Sequence, residues 1–441
     1  MLKTAQEMLQ WAVEKNGYVV SPKISLKDYT DVNKSLGIGI VAVDNIKADE
    51  TVVFFPKDSV MKVSGSYLQH LEGIEELPNW AALLLLMMNE KNNPESFWKP
   101  YISVFPTKER ITSLFYWDAE KQKRLLKSTV LENMQDRSEV KTVWKETVLP
   151  FIDKNKSKLR EGLTLEDFEH MAAVMSSYSF DVKRIKTENN DSQKASKQMD
   201  VDNSEHSENN EDDSDLESEY DPEVFEKAMC PIADMFNGDD ELCNVRMYDL
   251  EDGYHMMVTR DIEKGEQLWN TYGDIDNGEL LRKYGFTKPD GTTADYVLMK
   301  REQWAPQYIQ KLGEEEFQRR LELLLEEDVI TNLEGDFCFG RDSYNVTDAC
   351  LTLVAMHKPT LSKVPKKSEI VPGTYDELVD LLDRCVKQYT VLENDESDFD
   401  AQNANVIVKN ELRIWRLMRK HVRDLSQKKE TQAKKKRMKL S

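Results

Sequence analysis

The sequence has no unbroken apolar run longer than the nine residues from Trp80 to Met88. A helix that spans a bilayer needs about 20 such residues, so no transmembrane helix is expected. Cysteine is scarce. The five thiols (Cys230, Cys243, Cys338, Cys350 and Cys385) are scattered, form no CxxC pair and do not cluster with the six histidines. That pattern argues against a metal site, zinc included, and the odd count suggests reduced intracellular thiols. The opening residues lack an unbroken apolar core and a small-residue cleavage site, so a signal peptide is not expected. They read instead as a short amphipathic helix, with Met8, Leu9, Ala12 and Val13 able to share a face and Gly17 as its stop. The pair Gly37 and Gly39 lacks the third glycine and the following helix pattern of a dinucleotide-binding loop.

Charge is plentiful but uneven. The formal net charge is −21, yet residues 188–226 hold fifteen Asp/Glu against two Lys, a net of −13 that leaves −8 for the rest. Residues 185–222 carry almost no apolar side chains. They cannot bury enough surface to offset chain entropy, and a disordered acidic loop is expected there. It reads as a solvated spacer; the alternative is a segment that attracts a basic partner. Near the other end, 434–439 read Lys-Lys-Lys-Arg-Met-Lys, either a solvated tail or a nuclear-import signal.

Between these stretches the patterning is readable. Leu36 to Ala42 and Thr51 to Pro56 predict two strands around a polar turn. Trp80 to Glu90, Asp118 to Val130, Val140 to Lys156 and Leu165 to Tyr178 predict helices. Phe97 to Pro106 is aromatic and proline-bounded, which chemistry alone assigns to packing. Val245 to Tyr248 and Tyr254 to Val258 flank Asp252-Gly253, a hairpin signal. A Lys264-Gly265-Glu266 turn follows, then a strand from Gln267 to Asn270 and a short helix from Glu279 to Tyr284. From about 290 the pattern is helical, with stripes at Phe317, Leu321 and Leu324, at Leu378 to Tyr389, and at Leu412, Trp415 and Met418 that read as core.

Four segments, in order, carry a resemblance: Gly37-Ile38-Gly39-Ile40-Val41-Ala42; Trp98-Lys99-Pro100-Tyr101 with Pro106; Pro231-Ile232-Ala233-Asp234-Met235-Phe236-Asn237; and Asn270-Thr271-Tyr272-Gly273 with Tyr284-Gly285-Phe286. They resemble the SET-domain protein methyltransferases, and more narrowly the branch related to the Rubisco large-subunit methyltransferase. Tyr178-Ser179-Phe180 is similar to the fungal members of that branch that act on ribosomal proteins. The sequence departs from the pattern at Gly238, where the branch carries histidine.

The resemblance implies an α+β fold: a SET β-fold with pseudoknot-like C-terminal threading, split by a helical insert and followed by an all-helical C-terminal domain. Its parts would be an N-terminal helix (1–20), a SET domain (21–287, with β core 21–60 and 225–287, helical insert 61–184 and acidic loop 185–222), a helical substrate-binding domain (290–425) and a basic tail (426–441). It implies an S-adenosylmethionine-dependent protein-lysine N-methyltransferase, with a lysine of a basic 60S ribosomal protein as acceptor. It implies a monomer in the nucleus, with a share in the cytoplasm, and no direct contact with nucleic acid or membrane. The alternatives are a non-catalytic binding module of the same fold, or another acceptor such as histidine.

By the same resemblance, Leu36, Gly37, Ile38, Gly39, Tyr178, Asp234, Asn237, Gly238, Tyr272, Tyr284 and Phe286 would contact the cofactor. Tyr272 would be catalytic, and Trp117 and Tyr178 would face the substrate. The residue types suit those tasks. A tyrosine face tolerates a developing cation and its hydroxyl can orient an amine. An unperturbed phenol near ~10 is largely protonated at neutral pH, so orientation rather than general-base catalysis is the expected role. Asn237 can donate and accept at an adenine edge. Core packing remains the competing reading for Trp117, and a brace for its turn the competing reading for Asp234.

Overall fold

The computed structural model describes residues 1–30, 36–132, 137–184, 224–341, 346–389 and 398–438. The expected acidic loop and Lys439 of the basic segment lie outside this set. The chain divides into two compact units. The first comprises Met1–Tyr116, Gln135–Asp274 and Lys283–Gly285, and the second Trp117–Met134, Ile275–Arg282 and Phe286–Ser441.

The core of the first unit forms around the helix Asn79–Lys91, whose residues from Trp80 to Asn89 are all buried. A helix apolar on every side belongs in an interior. Trp80 packs on Phe168 of the helix Leu165–Tyr178, with ring centroids 5.9 Å apart. The N-terminal helix, Leu2–Lys15, sinks Ala5, Met8, Trp11 and Ala12 into the same core.

Three small sheets lie on that core. The first runs β1 (Val19–Val20), β4 (Thr51–Phe55), β8 (Tyr254–Val258), β7 (Val245–Asp249), all antiparallel. The second is β2 (Ile24–Asp28), β3 (Ile38–Ala42), β9 (Gln267–Leu268). The third pairs β5 (Ser179–Lys183) with β6 (Phe225–Met229). The hairpin predicted at Asp252-Gly253 is β7–β8. In β3 and β9, Ile40 stands opposite Leu268 and Val41 opposite Gln267. The chain beyond β9 is laced into an earlier segment. Asn244 and Val245 donate to the Trp269 carbonyl (2.9 and 3.0 Å), Asn270 donates to the Asn237 carbonyl (2.9 Å), and Asp239 donates to that of Asn270 (2.9 Å).

Two predicted helices differ in detail. Asp118 to Val130 breaks into the short turns Ala119–Gln122, Lys123–Leu125 and Thr129–Glu132. Lys127 takes φ 71°, which stops a helix. The Ser128 hydroxyl and Thr129 amide are drawn away to Glu411 at 2.9 and 3.0 Å, so tertiary contacts override propensity. Val140 to Lys156 is a helix with an inserted π turn at Trp144–Val148. Pro150 follows directly and lacks an amide to donate, and the wider turn accommodates that loss.

Among the described residues the second unit is helical apart from one two-stranded ladder, where an all-helical domain was expected. β10 (Tyr296–Met299) pairs antiparallel with β11 (Phe337–Gly340), built from β-branched and aromatic residues that bury Val297, Met299 and Phe339. Around it stand Glu314–Glu326, Val346–His357, Pro372–Gln388 and the 40-residue helix Phe399–Met438, which takes in the start of the expected basic tail. Arg320 is 1% exposed yet satisfied: it donates to Glu316 at 2.7 Å and to the carbonyls of Ala355 and Met356 at 2.9 Å. Those carbonyls end a helix and lack partners within it. Among the described residues no helix is long and apolar enough to cross a membrane.

Candidate functional site

The site builds from β6 onward. After Cys230 the chain folds on Ile232, a buried β-branched residue held at φ 68°, ψ −44°. The Ala233 amide donates to the Pro231 carbonyl at 2.8 Å, closing a three-residue γ-turn. Such a conformation costs on the order of 1–3 kcal/mol and persists only where its surroundings enforce it. Here the enforcement is complete burial of Ile232 and the bond from the Met235 amide to its carbonyl (3.0 Å).

That turn delivers Asp234 to Tyr101, whose hydroxyl donates to Asp234 Oδ2 at 2.5 Å. The tyrosine of the Trp98–Tyr101 segment therefore does more than fill space. Asp234 Oδ1 is buried with no hydrogen-bond partner. Burial pushes the Asp234 carboxyl up to about 7, partly offset by the Tyr101 hydrogen bond. Burial also drives the Tyr101 hydroxyl well above its ordinary value, with the Asp234 charge adding to the effect.

Gly39 of β3 supplies a second part. A Cβ there would stand 2.5 Å from Asn237 Nδ2, 2.9 Å from Gln267 Nε2 and 3.1 Å from the Tyr29 ring. Only glycine lets these groups approach so closely. Asn237 Nδ2 and Gln267 Nε2 are both buried and lack an acceptor. Each such orphan costs about 1–3 kcal/mol, so their convergence on a bare α-carbon marks a place built to receive a ligand's acceptor atoms.

The third part is aromatic. The rings of Tyr272 and Tyr284 stack with centroids 3.8 Å apart and planes 16° from parallel. Tyr284 is anchored on both sides, because the Ser177 hydroxyl donates to the Lys283 carbonyl (2.5 Å) and the Thr112 hydroxyl to that of Gly285 (2.8 Å). Gly285 takes φ 77°, and a Cβ there would press on the Thr112 hydroxyl and lie 2.6 Å from the Ser113 amide. The Tyr272 hydroxyl is raised by burial first and by Tyr178 second, while a hydrogen bond from the Gly238 amide lowers it. Tyr178, the last residue of its helix, keeps 36% of its surface exposed, and desolvation at the hydroxyl together with the charge of Asp234 raises it.

The structure thus brings Gly39, Asn237 and Gln267 together at one point. It also places Tyr272 against Tyr284 and Gly238, and sets Asp234 within electrostatic reach of Tyr178 and Tyr272. Leu36 and Gly37 lead into β3, with Gly37 at φ 59°, and Ile38 begins the strand. Trp117 and Phe286 belong to the second unit, where Trp117 is 2% exposed and its carbonyl accepts from Gln122 Nε2 at 3.1 Å. Phe286 is half-buried there. Sequence reasoning missed Gln267, whose place opposite Val41 emerges only from the strand pairing. It also missed the Tyr101–Asp234 bond.

Gly39, the two orphaned amides of Asn237 and Gln267, and Tyr272 all fall inside one recognisable domain. The SET domain profile matches residues 37–273, and the chain belongs to the SET-domain family. It is a protein-lysine N-methyltransferase. Ribosomal lysine N-methyltransferase 4 of Schizosaccharomyces pombe is 46% identical over 94% of this chain and 95% of that protein. The protein of the same name from Saccharomyces cerevisiae is 31% identical over 63% of this chain and 54% of its own length. The Xenopus laevis N-lysine methyltransferase setd6 is 26% identical over 75% and 69%. Among solved structures, the Rubisco LSMT SET domain bound to methyl-lysine and AdoHcy aligns over 97% of this chain and 92% of its own, with TM-score 0.64 and 15% identity.

Proposed function

We propose that this chain methylates a lysine of a 60S ribosomal protein, with Tyr272 orienting the acceptor amine. The observation that carries the substrate is the 46% identity, spread over 94% of the chain, to a ribosomal lysine N-methyltransferase. The pocket supports the chemistry independently, since two buried amide donors converge on Gly39 without acceptors.

When bound, S-adenosylmethionine supplies an electrophilic methyl group on a sulfonium. The main chain of Leu36–Gly39 and the amides of Asn237 and Gln267 would hold the cofactor, with Tyr284 as a wall. Gly39 contributes by having no side chain. The acceptor lysine, with an ordinary value near ~10.4, must lose its proton before it can attack. Tyr272 is not the proton acceptor, because burial drives its hydroxyl up and keeps it protonated at neutral pH. Its hydroxyl orients the amine instead, and alignment is where such a reaction gains most of its rate. Tyr178 lines the acceptor side. Asp234 fixes the loop that presents Asn237.

The nucleus is the compartment we assign, on the basic residues at 434–439. Deleting those residues from a fluorescently tagged chain tests this, and unchanged nuclear signal refutes it. The substrate is tested with purified chain, radiolabelled S-adenosylmethionine and 60S subunits from cells lacking the enzyme. One labelled ribosomal protein is expected, with the label on lysine by mass spectrometry. No transfer, with the 46%-identical relative active in parallel, refutes the substrate.

A further inference from the structure

The position that breaks the family pattern has a task of its own. A Cβ built on Gly238 would lie 2.5 Å from Cδ2, Cε1 and Cε2 of Tyr272. Three atoms spread around one ring, all equally close, mean that the face of the ring covers the glycine α-carbon. The opposite face is covered by Tyr284, centroid to centroid at 3.8 Å. Tyr272 is therefore a plate between two flat surfaces.

Neither surface can yield. Tyr284 sits between two carbonyls fastened by Ser177 and Thr112. Gly238 bridges to Asn270, with the Asn270 amide on the Asn237 carbonyl and the Asp239 amide on the Asn270 carbonyl, each at 2.9 Å. Asn270 lies two residues before Tyr272, so the glycine and the ring it seats share one piece of backbone. Gly238 is not in the left-handed region, so its backbone would accept any residue. What the position demands is space. Its amide also engages the Tyr272 hydroxyl.

We propose that Gly238 is a positioning residue for Tyr272: the missing side chain seats the ring and thereby fixes where its hydroxyl lies. The proposal rests on the orienting role assigned to Tyr272 above. A methyl group added at 238 would push the ring out of its slot and swing the hydroxyl from the acceptor amine. The cofactor donors Asn237 and Gln267 stand on the Gly39 side and would be left in place.

The test uses the full chain, S-adenosylmethionine and 60S subunits from cells lacking the enzyme. Gly238→Ala should lower kcat at least about tenfold, the scale of a sub-ångström misplacement, while the cofactor Kd and acceptor KM stay within about threefold. In a Tyr284→Ala background the ring has room to retreat, so adding Gly238→Ala should cost under about threefold, a coupling expected of groups in contact. Should Gly238→Ala alone fail to fold, the double variant should recover the folded state, and its failure too would overturn the proposal. Unchanged kcat, a loss equal in both backgrounds, or kcat and cofactor affinity falling together would each overturn it. Tyr272→Phe separates the layers. If that variant keeps full activity, the assignment of Tyr272 fails; if it is impaired while Gly238→Ala is not, only the role of Gly238 fails.

Discussion

Each unit buries a cluster of polar side chains, and the two clusters are finished differently. In the second unit, Asp276, Asn277, Glu279, Arg282, Asp295 and Glu411 line one small cavity. Their groups answer one another. Asp295 accepts from the Asn277 amide (2.8 Å), from Thr292 N (3.0 Å) and from the Thr292 hydroxyl (3.2 Å). Asp276 caps the amides of Gly278 and Glu279, and Glu279 pairs with Arg282. Glu411 accepts from Ser128 and Thr129 and leaves one oxygen unpaired. In the first unit, Asn237 Nδ2, Gln267 Nε2 and Asp234 Oδ1 are buried with nothing to bond. A polar cluster whose groups mostly pair with one another holds a fold together. One left open at a glycine-backed pocket keeps its hydrogen bonds for a ligand.

The contrast makes opposite demands on mutation. The largest effect is expected at Asp295. Its replacement by alanine strands several buried donors and should cost about 4 kcal/mol in denaturant unfolding while leaving cofactor affinity per folded molecule unchanged. Next is Gly39→Ala, which drives a methyl into the two orphaned amides. Calorimetry should show roughly 100-fold weaker S-adenosylmethionine binding, and less than about threefold would break the comparison. Third is a pH effect. Burial raises the Glu411 carboxyl from 4.5 to about 8. Below about 4.5 it is protonated whether the chain is folded or not, so its contribution is fully present. Between there and about 8 only the unfolded chain ionises, and stability falls as pH rises. Glu411→Gln should remove that fall, on the order of 2 kcal/mol between pH 5 and 8. The smallest effect is Gln267→Leu. It should weaken cofactor binding about tenfold yet leave the ligand-free chain no less stable, because an orphan donor has been removed. Destabilisation of the free chain would show that this amide is part of the scaffold.

How far the sequence disclosed all this depended on what carried the signal. Asn237, Tyr272 and Tyr284 stood out in the sequence because residue type and motif order mark them as candidates. Gln267 did not, since an amide on a short strand looks like a solvated position until its partner strand is known. Gly238 looked like a lost contact. Its meaning lies in the distance to a ring 34 residues further on, which no local pattern encodes. The γ-turn at Ile232 contradicts local preference outright, as strained sites do. The helix expected from 118 failed at Lys127 for the same kind of reason, a backbone state set by a tertiary bond to Glu411.

The pairing of Ile40 with Leu268 has a consequence in time. A ribosome adding roughly 5–20 residues per second would release β3 some 10 to 45 s before β9 exists. Through that interval the glycine strand has only β2 for company, and neither Gln267 nor Tyr272 has been made. The nascent chain can assemble its inner helices early, but it acquires its methyl-donor pocket only as the last strand of the first unit arrives. Any pause in synthesis between 42 and 267 would lengthen the exposure of an unpaired strand edge, the condition under which chains aggregate. A holdase bound to β3 during that window would protect it.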